Sequence, residues 1–386
     1  MLKKLFKKLQ LNLASILLVL FYCLEGVSKI VKFSPIEDLN TSRVFKSIVI
    51  IILILGLIHR RFINIIHLLI LFIFFSLGQY YLSDGFNTPV VILFFKYIFA
   101  IVLFMYFNIN KLSESQKRTL FLTFESIIII NSLLIILGFL FDIDLFQTYK
   151  GERFGFNGLF VASSSGSYVG ILSLLYFLIK YKKALFKKMK AIIVIVSLIL
   201  VGTKSVYISL FFVGLFYVWY YFDSSFRKIT FISLFALLII LAYTFFYSFG
   251  VFNEIRQERG IISSVLSFRN ELLVHRTIPF IQDQWQWVNY LFGGLINLNT
   301  RAQLGFIDTF YFFGIIGGIY YLYLYYKSYF TFVINKKNVC LAIILIIFLS
   351  GNFFANTSLP LHLLVLKLML EETNYSKTYE NSISKH

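Results

Sequence analysis

Apolar runs of about 20 residues recur along the whole of this chain, separated by short polar turns, and that recurrence limits what it can fold into. A helix of about 20 apolar residues matches the hydrocarbon thickness of a bilayer. Only 14% of the residues are charged, against about 25% in soluble domains. Mean hydropathy is +0.81 over 386 residues, and no stretch reads as a soluble domain. The fold class expected is all-α: a polytopic integral membrane protein with one helical domain over 1–370. Within it, 250–305 is the longest stretch without a clear span. The tail 371–386, "EETNYSKTYENSISKH", is polar and reads as cytoplasmic and structureless.

Twelve spans are expected, at roughly 10–32, 44–58, 62–82, 89–108, 119–141, 159–180, 189–203, 205–222, 229–249, 306–327, 338–355 and 357–370. The basic "MLKKLFKKLQ" leads into the first of them with no small-residue cleavage pattern after it, so it reads as an uncleaved span. The net charge of +18 would suit nucleic acid only if it were gathered on a soluble face; here it falls in short turns between spans, so no nucleic-acid partner is expected. Lys and Arg fill alternate turns: the N-terminus, Arg60 and Arg61, Lys111 to Arg118, "KYKKALFKKMK" at 180–190, Arg227 and Lys228, and Lys327 to Lys337. The positive-inside rule therefore places both termini in the cytoplasm. The turns at 34–43, 83–89, 142–158 and 202–205 and the segment 250–305 then lie outside.

That outer segment carries Arg256, Arg259, Arg269, Arg276 and Arg301 and no lysine, although the whole chain has 36 cationic residues of which most are Lys. Five consecutive arginines drawn from such a mixture would arise by chance well under one time in a hundred. Guanidinium is planar, permanently charged and bidentate toward phosphate and carboxylate, which a mere topology signal does not need. "SSVLSFRNELLVHRTIPFI" (263–281) reads as an amphipathic helix with Arg269 and Arg276 on one face and Glu271 and His275 on the next. Pro279 is expected to end or kink it, and Trp285 and Trp287 to mark a membrane interface.

Other signals are weaker. Cys23 and Cys340 are far apart and lie in apolar runs; five scattered His make no metal-ligand spacing, so neither metal nor cofactor is expected. "SSSGS" (163–167) reads as close helix packing. Lys96 stands mid-span, where an ionisable side chain is a functional candidate unless it snorkels. Glu25 and Lys29 read as a neutralised helical pair. Arg153, in the Gly-rich turn "GERFGFNG", and Lys204, in "LVGTKSVYISL", stand at outer ends of spans, and each reads equally as a solvated residue or an anion contact. Asp308 opens the tenth span near the arginines, as a general base or as a partner that positions an Arg. Arg153, Lys204, the Arg segment and Asp308 all fall on one face of the membrane.

This arrangement resembles the Wzy-type O-antigen, capsule and exopolysaccharide repeat-unit polymerases, within the wider group that includes the O-antigen ligases. The resemblance covers the whole chain in architecture and four short stretches in sequence. "GERFGFNGLFVASSSGS" is similar to an Arg-x-x-Gly turn before a small-residue helix, with "FNGLF" where the family has Pro-Asn. "LVGTKSVYISL" is similar to a Thr-x-Ser-Arg segment but lacks the Arg. "SFRNELL" matches a Ser-x-Arg helix start, and "LFGGLINL" with "FIDTFYFFGIIGG" resembles the Gly-rich turn and acidic residue before the tenth span. Ligases carry a His near the place of Asp308, which favours polymerase; His275 lies further upstream.

The resemblance implies a GT-C-like membrane glycosyltransferase at the outer face of a bacterial cytoplasmic membrane. Its substrates would be polyprenyl-pyrophosphate-linked oligosaccharides, with a flippase and a chain-length regulator as candidate partners. Glycosyl transfer would be metal-independent, with Arg153, Lys204, Arg269, Arg276 and Arg301 on pyrophosphate and Asp308 or Glu271 as base or acceptor positioner. The alternatives are a polysaccharide ligase and, from another class, a lipid-linked oligosaccharide flippase. A flippase calls for internal repeats and a charged central cavity; the sequence shows charges gathered at one face under a long segment.

Overall fold

The computed structural model describes residues 13–33, 41–82, 85–149, 154–222, 224–244, 247, 250–332, 337–349 and 351–383. It is all-helical, with no strand among the described residues. The long helices are α1 (Leu13–Phe33), α2 (Thr41–Arg60), α3 (Phe62–Tyr80), α4 (Thr88–Ile109), α5 (Glu114–Leu140), α6 (Ser163–Tyr181), α7 (Met189–Leu200), α8 (Lys204–Tyr221), α9 (Ser224–Tyr243) and α10 (Gly250–Leu266). A composite helix, α11, joins Arg269–Leu272, a π turn Leu273–Thr277 and Ile278–Gln284. Then follow α12 (Trp287–Phe292), α13 (Gly305–Tyr329), α14 (Lys337–Leu349) and α15 (Leu359–Ile383).

Each of the twelve expected spans overlaps one of these helices, but α7 and α14 have only 12 and 13 residues, short of a bilayer's thickness; Gly202 at φ +73 turns the chain between α7 and α8 at the split expected near 203. Five of them, α1, α3, α4, α5 and α13, are long and apolar enough to cross a bilayer by length and composition. Large apolar side chains such as Ile51, Leu55, Ile63, Ile73, Leu140 and Ile239 point away from the bundle. In a membrane-embedded protein such faces meet lipid, which is as apolar as they are.

Burial centres on α4, α6 and the first half of α15. Aromatic rings stack between α3, α4 and α13: Phe75 on Phe94 at 4.6 Å, Phe75 on Phe312 at 5.3 Å and Tyr97 on Phe312 at 4.9 Å. Offset stacking of this kind adds about 0.5–1.5 kcal/mol per pair beyond the area buried. Several polar groups inside the bundle are paired, although the buried Ser15 and Tyr329 hydroxyls have no hydrogen-bond partner among the described residues. His362 donates from Nδ1 to the Ser358 carbonyl at 2.7 Å, which leaves Nε2 to accept from the Tyr22 hydroxyl at 2.7 Å. Lys367 donates to Asn108 at 2.5 Å and Thr331 at 2.9 Å.

Three sequence expectations change. Lys29 does not pair with Glu25. It is buried and donates to Asn157 Oδ1 and to the carbonyls of Gly158 and Gln147 at 2.6 and 3.2 Å, tying α1 to the turn that precedes α6. Glu25 takes Lys46 of α2 at 3.1 Å instead. The polar tail is helical: α15 runs to Ile383, its residues 371–383 continuing the coil begun by the buried apolar stretch from Leu359. The expected helix 263–281 is broken. Ser267 and Phe268 adopt φ of +52 and +64, so α10 stops and α11 begins anew at Arg269.

Pro279 neither ends nor breaks α11. It lacks the N–H that the His275 carbonyl would take in a regular α-helix, and the π turn Leu273–Thr277 sits beside it. Trp285 braces the fold: its Nε1 donates to the Gly294 carbonyl at 3.0 Å and its ring stacks on Tyr311. Trp287 is 72% exposed.

Candidate functional site

Several non-consecutive segments meet at one end of the bundle. Residues 147–149 and 154–158 lie on the turn between α7 and α8: Phe156 N–H donates to the Leu200 carbonyl at 2.8 Å and Thr148 Oγ1 to the Val201 carbonyl at 3.2 Å. Side chains at Gly155 and Gly202 would collide with the opposing backbone, so both positions need glycine at positive φ. Asn87, ahead of α4, donates to the Ile296 carbonyl at 2.6 Å. The segment 351–358, between α14 and α15, is held by α6: Tyr168 donates to the Gly351 carbonyl at 2.7 Å, and Ser165 accepts from Asn356 at 3.2 Å. The four stretches that carry the family resemblance are therefore brought to one end.

At their centre is a buried ion pair. Arg301 donates to Asp308 Oδ2 at 2.7 Å and to Asn352 Oδ1 at 2.6 Å. Asp308 stands in the first turn of α13, and its Oδ1 accepts the Gln303 backbone N–H at 3.1 Å. The Arg301 side chain is 10% exposed and that of Asp308 is 0% exposed. Burial works against the Arg301 charge, but the neighbouring Tyr97 hydroxyl and Asp308 carboxylate outweigh it and hold its pKa above the ordinary value. The guanidinium stays charged, and its buried Nε has no partner among the described residues. With both carboxylate oxygens occupied, Asp308 is built to hold Arg301 in place; of the two expected roles the geometry favours positioning over proton transfer.

Arg269 joins this cluster from α11. A Cβ placed on Gly351 would lie 3.2 Å from its guanidinium carbon, and Gly351 precedes the Asn352 that Arg301 contacts. Unlike Arg301, Arg269 forms no side-chain hydrogen bond or ion pair among the described residues. Its helix is docked through Thr277, whose hydroxyl donates to the Thr300 carbonyl at 2.6 Å, and Thr300 is fastened in turn by the Tyr311 hydroxyl at 2.7 Å. Strain converges on the same place. Among the described residues six non-glycine positions have positive φ, and Ser267, Phe268, Gln303 and Asn352 all border this cluster. Such conformations cost about 1–3 kcal/mol each and gather where function over-determines the backbone.

The other expected site residues are placed as follows. Lys204 turns toward the outer segment: its ammonium donates to the Ser264 and Val265 carbonyls, the latter at 3.0 Å, and lies 4.1 Å from the centre of the Phe252 ring. It acts as a strut between α8 and α10. Arg276 and His275 are exposed on α11, and Glu271 is half-buried. Glu271 and His275 form no bond with each other or with any other described side chain. Lys96 is half-buried one residue before Tyr97. Arg153 lies outside the described residues, as do 150–152. Asn352, Tyr97 and Gln303 were not foreseen; nothing in their local sequence marks them, because the fold alone brings them to Arg301.

Fold and site together define an all-helical, membrane-embedded protein with a buried arginine–carboxylate centre at one end of its bundle. No protein-family model, curated protein or solved structure matches the chain.

Proposed function

We propose that this protein polymerises polyprenyl-pyrophosphate-linked oligosaccharide repeat units at the outer face of a bacterial cytoplasmic membrane. The observation that carries the reading is the pair of guanidiniums around Gly351 and Asn352, one locked by Asp308 and one with no hydrogen bond or ion pair among the described residues. A lipid pyrophosphate is a dianion or more, held where lipid and water meet. Arg269 offers it a bidentate fork that no described residue fills, beside the charged, carboxylate-held guanidinium of Arg301.

In the reaction, an acceptor hydroxyl forms a new bond to the anomeric carbon while the bond from that carbon to the pyrophosphate oxygen breaks. The electron pair leaves with the lipid pyrophosphate, and the arginines stabilise the charge that grows there. The hydroxyl proton passes to a carboxylate; Glu271, without a hydrogen-bond partner among the described residues, fills that role better than the fully engaged Asp308.

The test is polysaccharide chain length on gels from cells lacking the protein and complemented with wild type, Arg269→Ala or Arg269→Lys, each matched for expression. Surface glycans of single repeat units with Arg269→Ala, and long chains with wild type, are the expected result. Long chains left unattached to their anchor would instead mean a ligase. Lipid-linked units trapped inside would mean a flippase.

A further inference from the structure

The far end of the bundle holds a second charged feature that the polymerase reading does not use. Six lysines stand at 180–190, in the turn between α6 and α7: Lys180, Lys182, Lys183, Lys187, Lys188 and Lys190. Two of them are consumed by one buried carboxylate. Glu125 of α5 accepts from Lys180, from Lys190 at 2.8 Å and from the Tyr176 hydroxyl at 2.8 Å. Lys182, Lys183, Lys187 and Lys188 are exposed, and their ammonium groups form no hydrogen bond or ion pair among the described residues.

Between them two large apolar side chains are bared, Phe186 at 54% and Met189 at 69% exposure. The backbone that presents them is fixed. It forms a 3-10 turn over Lys182–Lys187, begun by Lys182 at φ +50. Leu185 is buried as its anchor, Tyr217 of α8 donates to the Lys183 carbonyl at 2.9 Å, and the edge of the Phe186 ring meets Tyr217 at 5.0 Å. Helix α6 has 19 residues, so it separates this turn from the arginine end by about 28 Å, close to a bilayer's hydrocarbon thickness.

We infer that this turn is a binding site for anionic phospholipid in the leaflet opposite the arginine cluster. Four ammonium groups without a hydrogen bond or ion pair among the described residues, that of Lys188 lying 6.0 Å from the centre of the Tyr181 ring, ring the depth at which lipid phosphates sit, and Phe186 and Met189 enter among the first carbons of the acyl chains. Scattered topology lysines need neither the exposed apolar pair nor a strained, anchored turn. The ligand is a phosphodiester with net negative charge joined to acyl chains; the cations and the apolar pair recognise its two halves together. The inference does not rest on the polymerase reading.

The test uses the purified full chain in mild detergent, with bound lipid counted by native mass spectrometry during titration with phosphatidylglycerol or phosphatidylcholine. The wild type is expected to hold phosphatidylglycerol more tightly. Replacing Lys182, Lys183, Lys187 and Lys188 together by Gln should weaken that binding about tenfold or more, while the four Arg replacements keep it. Phe186→Ser with Met189→Ser should weaken both lipids. Inorganic phosphate at millimolar concentration should leave the bound lipid in place. Equal retention of the two lipids by the wild type, displacement by inorganic phosphate alone, or unchanged phosphatidylglycerol affinity in a folded four-Gln variant would each overturn the proposal.

Discussion

At the residue scale the chain turns on how one buried guanidinium is held. Arg301 has three kinds of partner, a carboxylate, an amide and a phenol, and they come from α13, the 351–358 segment and α4. Removing a single member of a buried pair leaves an uncompensated charge, which costs about 3–5 kcal/mol. Asp308→Ala should therefore lower the thermal midpoint in detergent sharply, whereas Arg301→Met with Asp308→Leu should recover much of the loss. Arg269→Ala should behave oppositely, because its guanidinium has no hydrogen bond or ion pair among the described residues. Its stability should move by less than about 0.5 kcal/mol, while polymer length collapses. A large loss of stability in Arg269→Ala would remove the reason for reading it as an open anion contact. The left-handed turn before it gives a further check. Ser267 is held at φ +52, so Ser267→Gly should stabilise by about 0.5–1 kcal/mol and Ser267→Val should destabilise, both read by thermal unfolding.

At the scale of elements, two lysines do work that their positions in the sequence do not announce. Lys204 joins α8 to the end of α10 through two backbone carbonyls and the face of Phe252. Lys29 joins α1 to Gln147, Asn157 and Gly158 ahead of α6. Lys204→Met should speed amide exchange over 250–266 and leave α4 and α6 unchanged, measured by hydrogen exchange in detergent. Unaltered exchange there would show that the strut carries nothing. Helix periods and apolar runs set the helix positions well, because in lipid every span must satisfy its own backbone and so announces its length. The fine structure of 250–305 was not legible in that way. A break at Ser267 and Phe268, non-glycine residues with no turn signature, is imposed by the docking of α11 through Thr277 rather than by local preference. The same holds for Pro279, which a π turn absorbs.

For the molecule as a whole, charge separates into two kinds at two ends. One end gathers Arg269, Arg301 and Asp308 under the long segment; the other carries the lysine-rich turn on Glu125. With Cys23 and Cys340 replaced, a cysteine at Asn299, which is exposed, should react with a membrane-impermeant thiol reagent in intact cells. One at Lys183 should react only after permeabilisation; the reverse pattern would invert the proposed orientation. The sequence by itself determined the all-helical membrane class, the helix positions and the choice of arginine in the segment 250–305. Apolar length, charge alternation and residue chemistry are local quantities that folding does not alter. Only the tertiary structure decided which of the five arginines meets Asp308, that Asn352 and Tyr97 stand beside the pair, and that Arg269 forms no hydrogen bond or ion pair among the described residues. Those outcomes depend on contacts between residues as many as 200 positions apart, and the backbone geometry that makes them is set by packing, not by any local pattern.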